Sequence, residues 1–115
     1  MEKSDAIAAL SALAQDNHLD VFRLLVQAGP DGLAAGRIGE LLGLASATLS
    51  FHLNQLRQAG MVTFRREGRS LIYAAEYATM NALLSYLTEN CCAGTDAACA
   101  PQSDTNATTP ARRRA

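Results

Sequence analysis

The stretch Ile38-Gly39-Glu40-Leu41-Leu42-Gly43-Leu44-Ala45-Ser46-Ala47-Thr48-Leu49-Ser50-Phe51-His52-Leu53-Asn54-Gln55-Leu56-Arg57-Gln58-Ala59-Gly60-Met61-Val62 decides the fold. Its first part predicts a short helix, from about Ala34 to Leu42, with Ile38, Leu41 and Leu42 apolar and Gly43 as its stop. Its second part predicts a helix from about Ala45 to Ala59, ended by Gly60. At about 100° per residue, Leu49, Leu53 and Leu56 share one face and belong to a core. The other face carries Ser50, Phe51, Asn54 and Gln58, with Thr48, His52 and Gln55 on its flank, and has no acidic residue. Hydroxyls and amides in that arrangement suit base edges and phosphates. An exposed Phe51 could meet a thymine methyl or pack on the neighbouring helix. His52 could donate to a phosphate or lie half-buried with its bonds satisfied.

Downstream, Val62-Thr63-Phe64-Arg65-Arg66 and Ser70-Leu71-Ile72-Tyr73-Ala74 flank Glu67-Gly68-Arg69, the pattern of a β-hairpin. Arg65, Arg66 and Arg69 cluster at its turn, where they either follow a nucleic-acid backbone or protect a strand edge by charge. Upstream, residues 4–14 place Ile7, Leu10 and Leu13 at helical spacing. A second helix, capped by Asp16 or Asn17, carries Leu19, Val21, Phe22, Leu25 and Val26 and ends at Gly29-Pro30-Asp31-Gly32. A last helix, from about Tyr77 to Asn90, lines up Met80, Leu83, Leu84 and Leu87. The order α-α-α-α-β-β-α, mainly α with a β-hairpin wing, describes a winged helix-turn-helix.

The formal charge of −1 over 115 residues hides a division. Residues 37–75 hold Arg37, Arg57, Arg65, Arg66 and Arg69 against Glu40 and Glu67, so a basic module lies inside a neutral chain. Apolar residues make up 49% of the chain, enough for a core, and the length allows one small domain without an enclosed cleft. No nucleophile–base arrangement of the Ser/His/Asp or Cys/His kind is visible, so an enzyme is not expected. No apolar run reaches about 18 residues and the N-terminus has no signal-type stretch, so the expectation is a cytoplasmic protein with no membrane partner. From Cys91 onward the chain is small and polar with no large apolar side chain, which predicts a domain over residues 1–90 and a flexible tail over 91–115.

The segments Ile38–Leu44 and Thr48–Val62 together resemble the helix-turn-helix of the ArsR/SmtB family of bacterial metal-responsive repressors. The wing Arg65-Arg66-Glu67-Gly68-Arg69 followed by Tyr73, and Ala12-Leu13-Ala14 leading to His18–Leu25, are also similar to that family, so the match spans roughly residues 6–90. Where many relatives have a serine to cap the recognition helix this chain has Ala45, and Ser46 could take over. The resemblance implies a homodimer, formed by the first and last helices, that binds an inverted repeat in operator DNA. The expected DNA-contacting residues are Ser46, Thr48, Ser50, Phe51, His52, Asn54, Gln55, Arg57, Arg65, Arg66 and Arg69. The expected dimer-interface residues are Ile7, Leu10, Met80, Leu83, Leu84 and Leu87.

Cys91 and Cys92 are adjacent, and Cys99 follows across small residues that let the chain curl back. Three thiolates match the pyramidal coordination of As(III), with Sb(III) its chemical relative, because soft sulfur selects soft ions. A zinc site wants four ligands, and both histidines, His18 and His52, lie far upstream. The vicinal pair with a distal cysteine resembles the C-terminal arsenic sites of part of the family. The expected function is therefore transcriptional repression relieved when As(III) or Sb(III) binds Cys91, Cys92 and Cys99. The alternatives are a thiol-redox or persulfide switch and a sensor of another thiophilic metal.

Overall fold

The computed structural model describes residues 1–92. Five helices, α1 (Lys3–Leu13), α2 (Asp16–Ala28), α3 (Ala35–Leu42), α4 (Ser46–Gln58) and α5 (Tyr77–Leu87), surround a small sheet of β1 (Leu33–Ala34), β2 (Val62–Glu67) and β3 (Ser70–Ala75). The sheet is antiparallel in the order β1-β3-β2. This is a mainly helical winged helix-turn-helix, as the sequence predicts, with one strand more. Strand β1 has two residues, too few to show the alternation that marks a strand. It pairs Leu33 with Tyr73 and Ala34 with Ile72. The approach is close enough that a Cβ on Gly32, at φ +74°, would run into the Tyr73 carbonyl, so the glycine that reads as a loop signal is also a packing requirement.

The core lies where α4 crosses α2 and α3. Leu49, Leu53 and Leu56 are at most 2% exposed and pack with Val21, Phe22, Leu25, Ile38 and Met61. Burial of each such leucine contributes about 1.5–3 kcal/mol. The turn between α3 and α4 is set by Gly43 in the left-handed conformation, with the Leu44 amide donating to the Gly39 carbonyl at 3.0 Å. Both helices of the motif are therefore fixed from beneath, and α4 keeps its other face outward.

Several caps and faces differ from expectation. Gln15, not Asp16 or Asn17, is the N-cap of α2, and Ala45 that of α4; neither makes a side-chain cap bond, and Ser46 is already the first helical residue. Burial of the α4 leucines thus sets where that helix starts. On α1 the residues turned inward are Ala6 and Ala9, small enough for close helix contact, while Ile7 and Leu10 stand 55% and 42% exposed. Helix α5 ends at Leu87 rather than Asn90, and its apolar residues divide. Leu84 and Leu87 are exposed, but Leu83 is buried inside the protomer and Met80 is half-buried against the same core. Leu83 is thus a core residue, because α5 must also close the bottom of its own domain. The Tyr77 hydroxyl donates to the Val26 carbonyl at 3.1 Å and fixes the start of α5 on α2.

Candidate nucleic-acid interface

Helix α4 presents Ser46, Thr48, Ser50, Phe51, Asn54, Gln55 and Arg57, all exposed. The buried leucines leave the intervening positions other than His52 exposed, so one helix brings together most of the residues expected from the sequence. Phe51 is 59% exposed, with its ring edge-on to His52 at 5.7 Å between centroids. Arg57, in the last turn, donates to Asn54 Oδ1 at 3.1 Å, and its guanidinium lies over the Phe64 ring at 5.1 Å. Phe64 in turn stacks on Tyr73 at 5.6 Å across the hairpin. Helix α4 and the wing are therefore joined through a cation–π contact between residues too far apart in sequence for their pattern to reveal it. The pairing of Phe64 with Tyr73 follows once the hairpin register is known.

The wing is a two-residue turn between Glu67 and Ser70, with Gly68 at φ +62° in its first position. Arg65 is tied to the wing's base: Nε bonds the Glu67 carboxylate at 2.7 Å and Nη2 the Asp31 carbonyl at 3.1 Å. Arg66 and Arg69 are exposed and, among the described residues, have no ion-pair partner. They are the wing cations available to a phosphate backbone.

His52 departs from its expected role as a phosphate donor. The ring is turned inward, and Nε2 lies 3.3 Å from the Asn17 amide nitrogen. Nδ1 is buried without a partner, and the ring meets His18 edge-on at 4.8 Å. With Nε2 engaged by Asn17 and Nδ1 buried, the half-buried reading of His52 describes the ring here. Burial first, and the neighbouring His18 charge second, lower the pKa of His52 from its ordinary value. The core stripe of α4 explains the inward turn, because position 52 is half-buried beside Leu49, Leu53 and Leu56.

The cysteine end lies just beyond α5. The Thr88 hydroxyl donates to the Leu84 carbonyl at 2.9 Å, and the Cys91 amide donates to the Thr88 carbonyl at 2.9 Å. Asn90 and Cys92 both take the left-handed conformation, at φ +61° and +58°, so the chain reverses sharply here. The turn brings the Cys91 and Cys92 sulfurs to 3.5 Å. Among the described residues no three His, Cys, Asp or Glu side chains gather as a metal site. Cys99, and all of the expected tail after Cys92, lie outside the described residues.

Comparison with known proteins places this geometry. Residues 13–64 match the model of a helix-turn-helix domain family. The uncharacterized HTH-type transcriptional regulator YceK of Bacillus subtilis is 31% identical over 60% of this chain and 70% of its own length. A putative arsenical resistance operon repressor ArsR of Halobacterium salinarum is 35% identical over 55% of this chain and 48% of its own. Among solved structures, the homodimeric winged helix-turn-helix DNA-binding domain Mb0332 of Mycobacterium bovis superposes with a TM-score of 0.60 at 27% identity, covering 76% of this chain and 81% of that one. No described helix is long and apolar enough to cross a membrane. An outward polar helix face, a basic hairpin packed beside it and these likenesses lead to one conclusion: the chain belongs to the HTH-type transcriptional regulators, with a winged helix-turn-helix fold and a likeness to ArsR-type members.

Proposed function

We propose that the protein is a repressor that binds operator DNA as a homodimer and releases it when As(III), or Sb(III), binds Cys91, Cys92 and Cys99. The observation that carries the reading is the pair of sulfurs 3.5 Å apart on the turn beyond α5. In the reduced protein, two sulfurs at this distance suit two ligands of one pyramidal ion, and sulfur donors favour a soft one. Cys99 follows closely enough in sequence to supply the third sulfur. The exchange is balanced without an oxidant. Arsenous acid gives up three As–O bonds for three As–S bonds, the thiol protons leave in three waters, and no electron is transferred.

The exposed Ile7 and Leu10 of α1 and Leu84 and Leu87 of α5 form the dimer face. A two-fold dimer through these helices presents two α4 helices to two half-sites of the operator. The ligand joins the turn after α5 to the following segment, next to that dimer face, and so biases the spacing of the two α4 helices. Ligand and operator then oppose each other through one coupling free energy, typically about 1–3 kcal/mol.

The test is a titration of reduced protein on promoter DNA with arsenite. Release by arsenite in the wild type, and retention of DNA by Cys99→Ser at the same arsenite concentration, support the reading. A normal arsenite response in Cys99→Ser overturns the three-sulfur site. Release by peroxide or polysulfide but not by arsenite assigns the cysteines to thiol redox chemistry.

A further inference from the structure

Three helices meet at a buried pair of imidazoles. His18 on α2 is 1% exposed and His52 is half-buried on α4. His18 Nδ1 lies 2.9 Å from the Ala12 carbonyl, which accepts only, so the ring's proton sits on Nδ1 and Nε2 carries a lone pair. The Asn17 amide nitrogen, a donor, faces His52 Nε2, which therefore accepts and leaves the proton of His52 on Nδ1. The two nitrogens left over are His18 Nε2 and His52 Nδ1, both buried and both without a partner. One is an acceptor and the other a donor, on rings whose centroids are 4.8 Å apart. They are not hydrogen-bonded to each other, and only while both rings are neutral does the pair leave one buried donor rather than two without a partner.

We propose that His18 and His52 are a proton-sensitive positioning pair for the recognition helix, holding α4 against α1 and α2 in the DNA-reading position when neutral and releasing it when either ring takes a proton. The inference rests on α4 being the element that reads the operator. A proton on His18 adds a second buried donor without a partner, at Nε2, on a ring whose neighbour already carries the unpartnered Nδ1 donor of His52. A proton on His52 makes Nε2 a donor, so the Asn17 amide must turn over to present Oδ1 or lose the contact. Either event puts a charge in a largely buried site, where among the described residues no ion pair with a carboxylate compensates it. The charged residues of the three helices are Lys3 and Asp5 on α1, Asp16, Asp20 and Arg23 on α2 and Arg57 on α4, and all of them are exposed. The ring partners are the Ala12 carbonyl, the Asn17 amide and the edge of Phe51. A cleft of about 300 Å³ beside His18, lined also by Ser11, Gln15 and Gln55, gives solvent a route to the pair. Lowering of the His52 pKa by burial and by His18 agrees with a site that favours the neutral form.

The predicted sign is opposite to that of general electrostatics. Acid makes a protein more positive and tightens its hold on phosphates. Here operator affinity falls as pH drops through the lowered pKa of His52, which lies below the ordinary histidine value of about 6.5. The experiment is operator affinity by fluorescence anisotropy from pH 8 to pH 5.5, for the wild type and for the doubly substituted His18→Gln/His52→Gln protein. The chain has two histidines, so this variant removes every group of that kind. The expected result is a loss of about tenfold in the wild type, one pKa unit of linkage, and a flat or rising affinity in the variant. A flat wild-type profile, or the same loss in both proteins, overturns the proposal. If the variant does not fold, the ring titrations of the wild type by NMR decide. Lower apparent pKa values with operator bound than without support the pair, and equal values overturn it. Operator binding at pH 8 that needs Arg57 yet ignores acid defeats the positioning pair alone; no operator binding at pH 8 defeats the reading beneath it as well.

Discussion

The helix-turn-helix with its wing, residues 35–75, and the turn at residues 88–92 both carry candidate chemistry, but they hold it in different ways. In the first, every exposed polar side chain of α4 stands above a buried leucine, and the wing is braced by Phe64 on Tyr73 and by Arg57 over Phe64. In the second, the sulfurs stand beyond the end of α5, on a turn closed by Thr88 and by two left-handed residues. A DNA-reading surface must be complementary before its partner arrives, and core packing provides that. A soft-ion site does not need the same preformed shape, because sulfur–metalloid bonds are strong enough to gather their own ligands.

The largest way to break this comparison is through the core. Leu53→Ala, at a site 1% exposed, is expected to cost about 2–5 kcal/mol by removing buried methyl groups and leaving a cavity. Thermal melting checks it, and the same melt on Cys91→Ser is expected to move little. A comparable loss from the cysteine substitution would show that the turn is part of the folding unit after all.

Next in size is the loss of a phosphate or base contact. Arg57→Ala is expected to weaken operator binding by about 1–3 kcal/mol and to make the dependence of affinity on salt less steep by about one unit. Arg65→Ala is expected to cost less, because Arg65 is already engaged with Glu67 and with the Asp31 carbonyl. Equal effects from the two would mean that the wing's ion pair opens on DNA. Both affinities are read in the same salt titration.

Smaller still is the effect of pH on stability. The folded-state pKa of His52 is lowered, so the unfolded chain takes up the proton first as pH falls. The contribution is present in full above the unfolded value of about 6.5 and is lost as pH falls from there through the folded value. Urea midpoints at pH 7.5 and pH 5.5 check it, and His52→Gln is expected to remove most of the difference between them. The smallest effect is expected for Phe64→Leu, which keeps apolar bulk but removes the ring under Arg57, at about 0.5–1 kcal/mol in operator affinity.

The parts that the sequence made legible are those governed by repeating patterns. The spacing of Leu49, Leu53 and Leu56 identified α4 and its outward face, and Gly68 between two strand-forming runs identified the wing. The parts it hid depend on contacts distant in sequence. His52 falls on the margin between the core stripe and the surface, and only the position of His18 and Asn17 on α2 shows which way it turns. Leu83 looks like its neighbours Leu84 and Leu87 until α5 is laid on its own domain. Strand β1 has no pattern of its own; it exists because β3 has an open edge beside it. For the cysteines, adjacency was plain in the sequence, and the fold adds the turn that brings two of the sulfurs together.

The central claim is that a regulator of this fold is switched at its C-terminal cysteines, and one measurement tests it most directly. Reduced full-length protein, bound to a fluorescent operator, is titrated with arsenite while anisotropy is followed, beside Cys91→Ser, Cys92→Ser and Cys99→Ser proteins. The account predicts that arsenite releases the wild type at one equivalent per three-cysteine site, while each single variant binds operator as well as the wild type and stays bound. Arsenite release that survives the loss of any one cysteine, or a wild type that holds its operator at saturating arsenite, would contradict it.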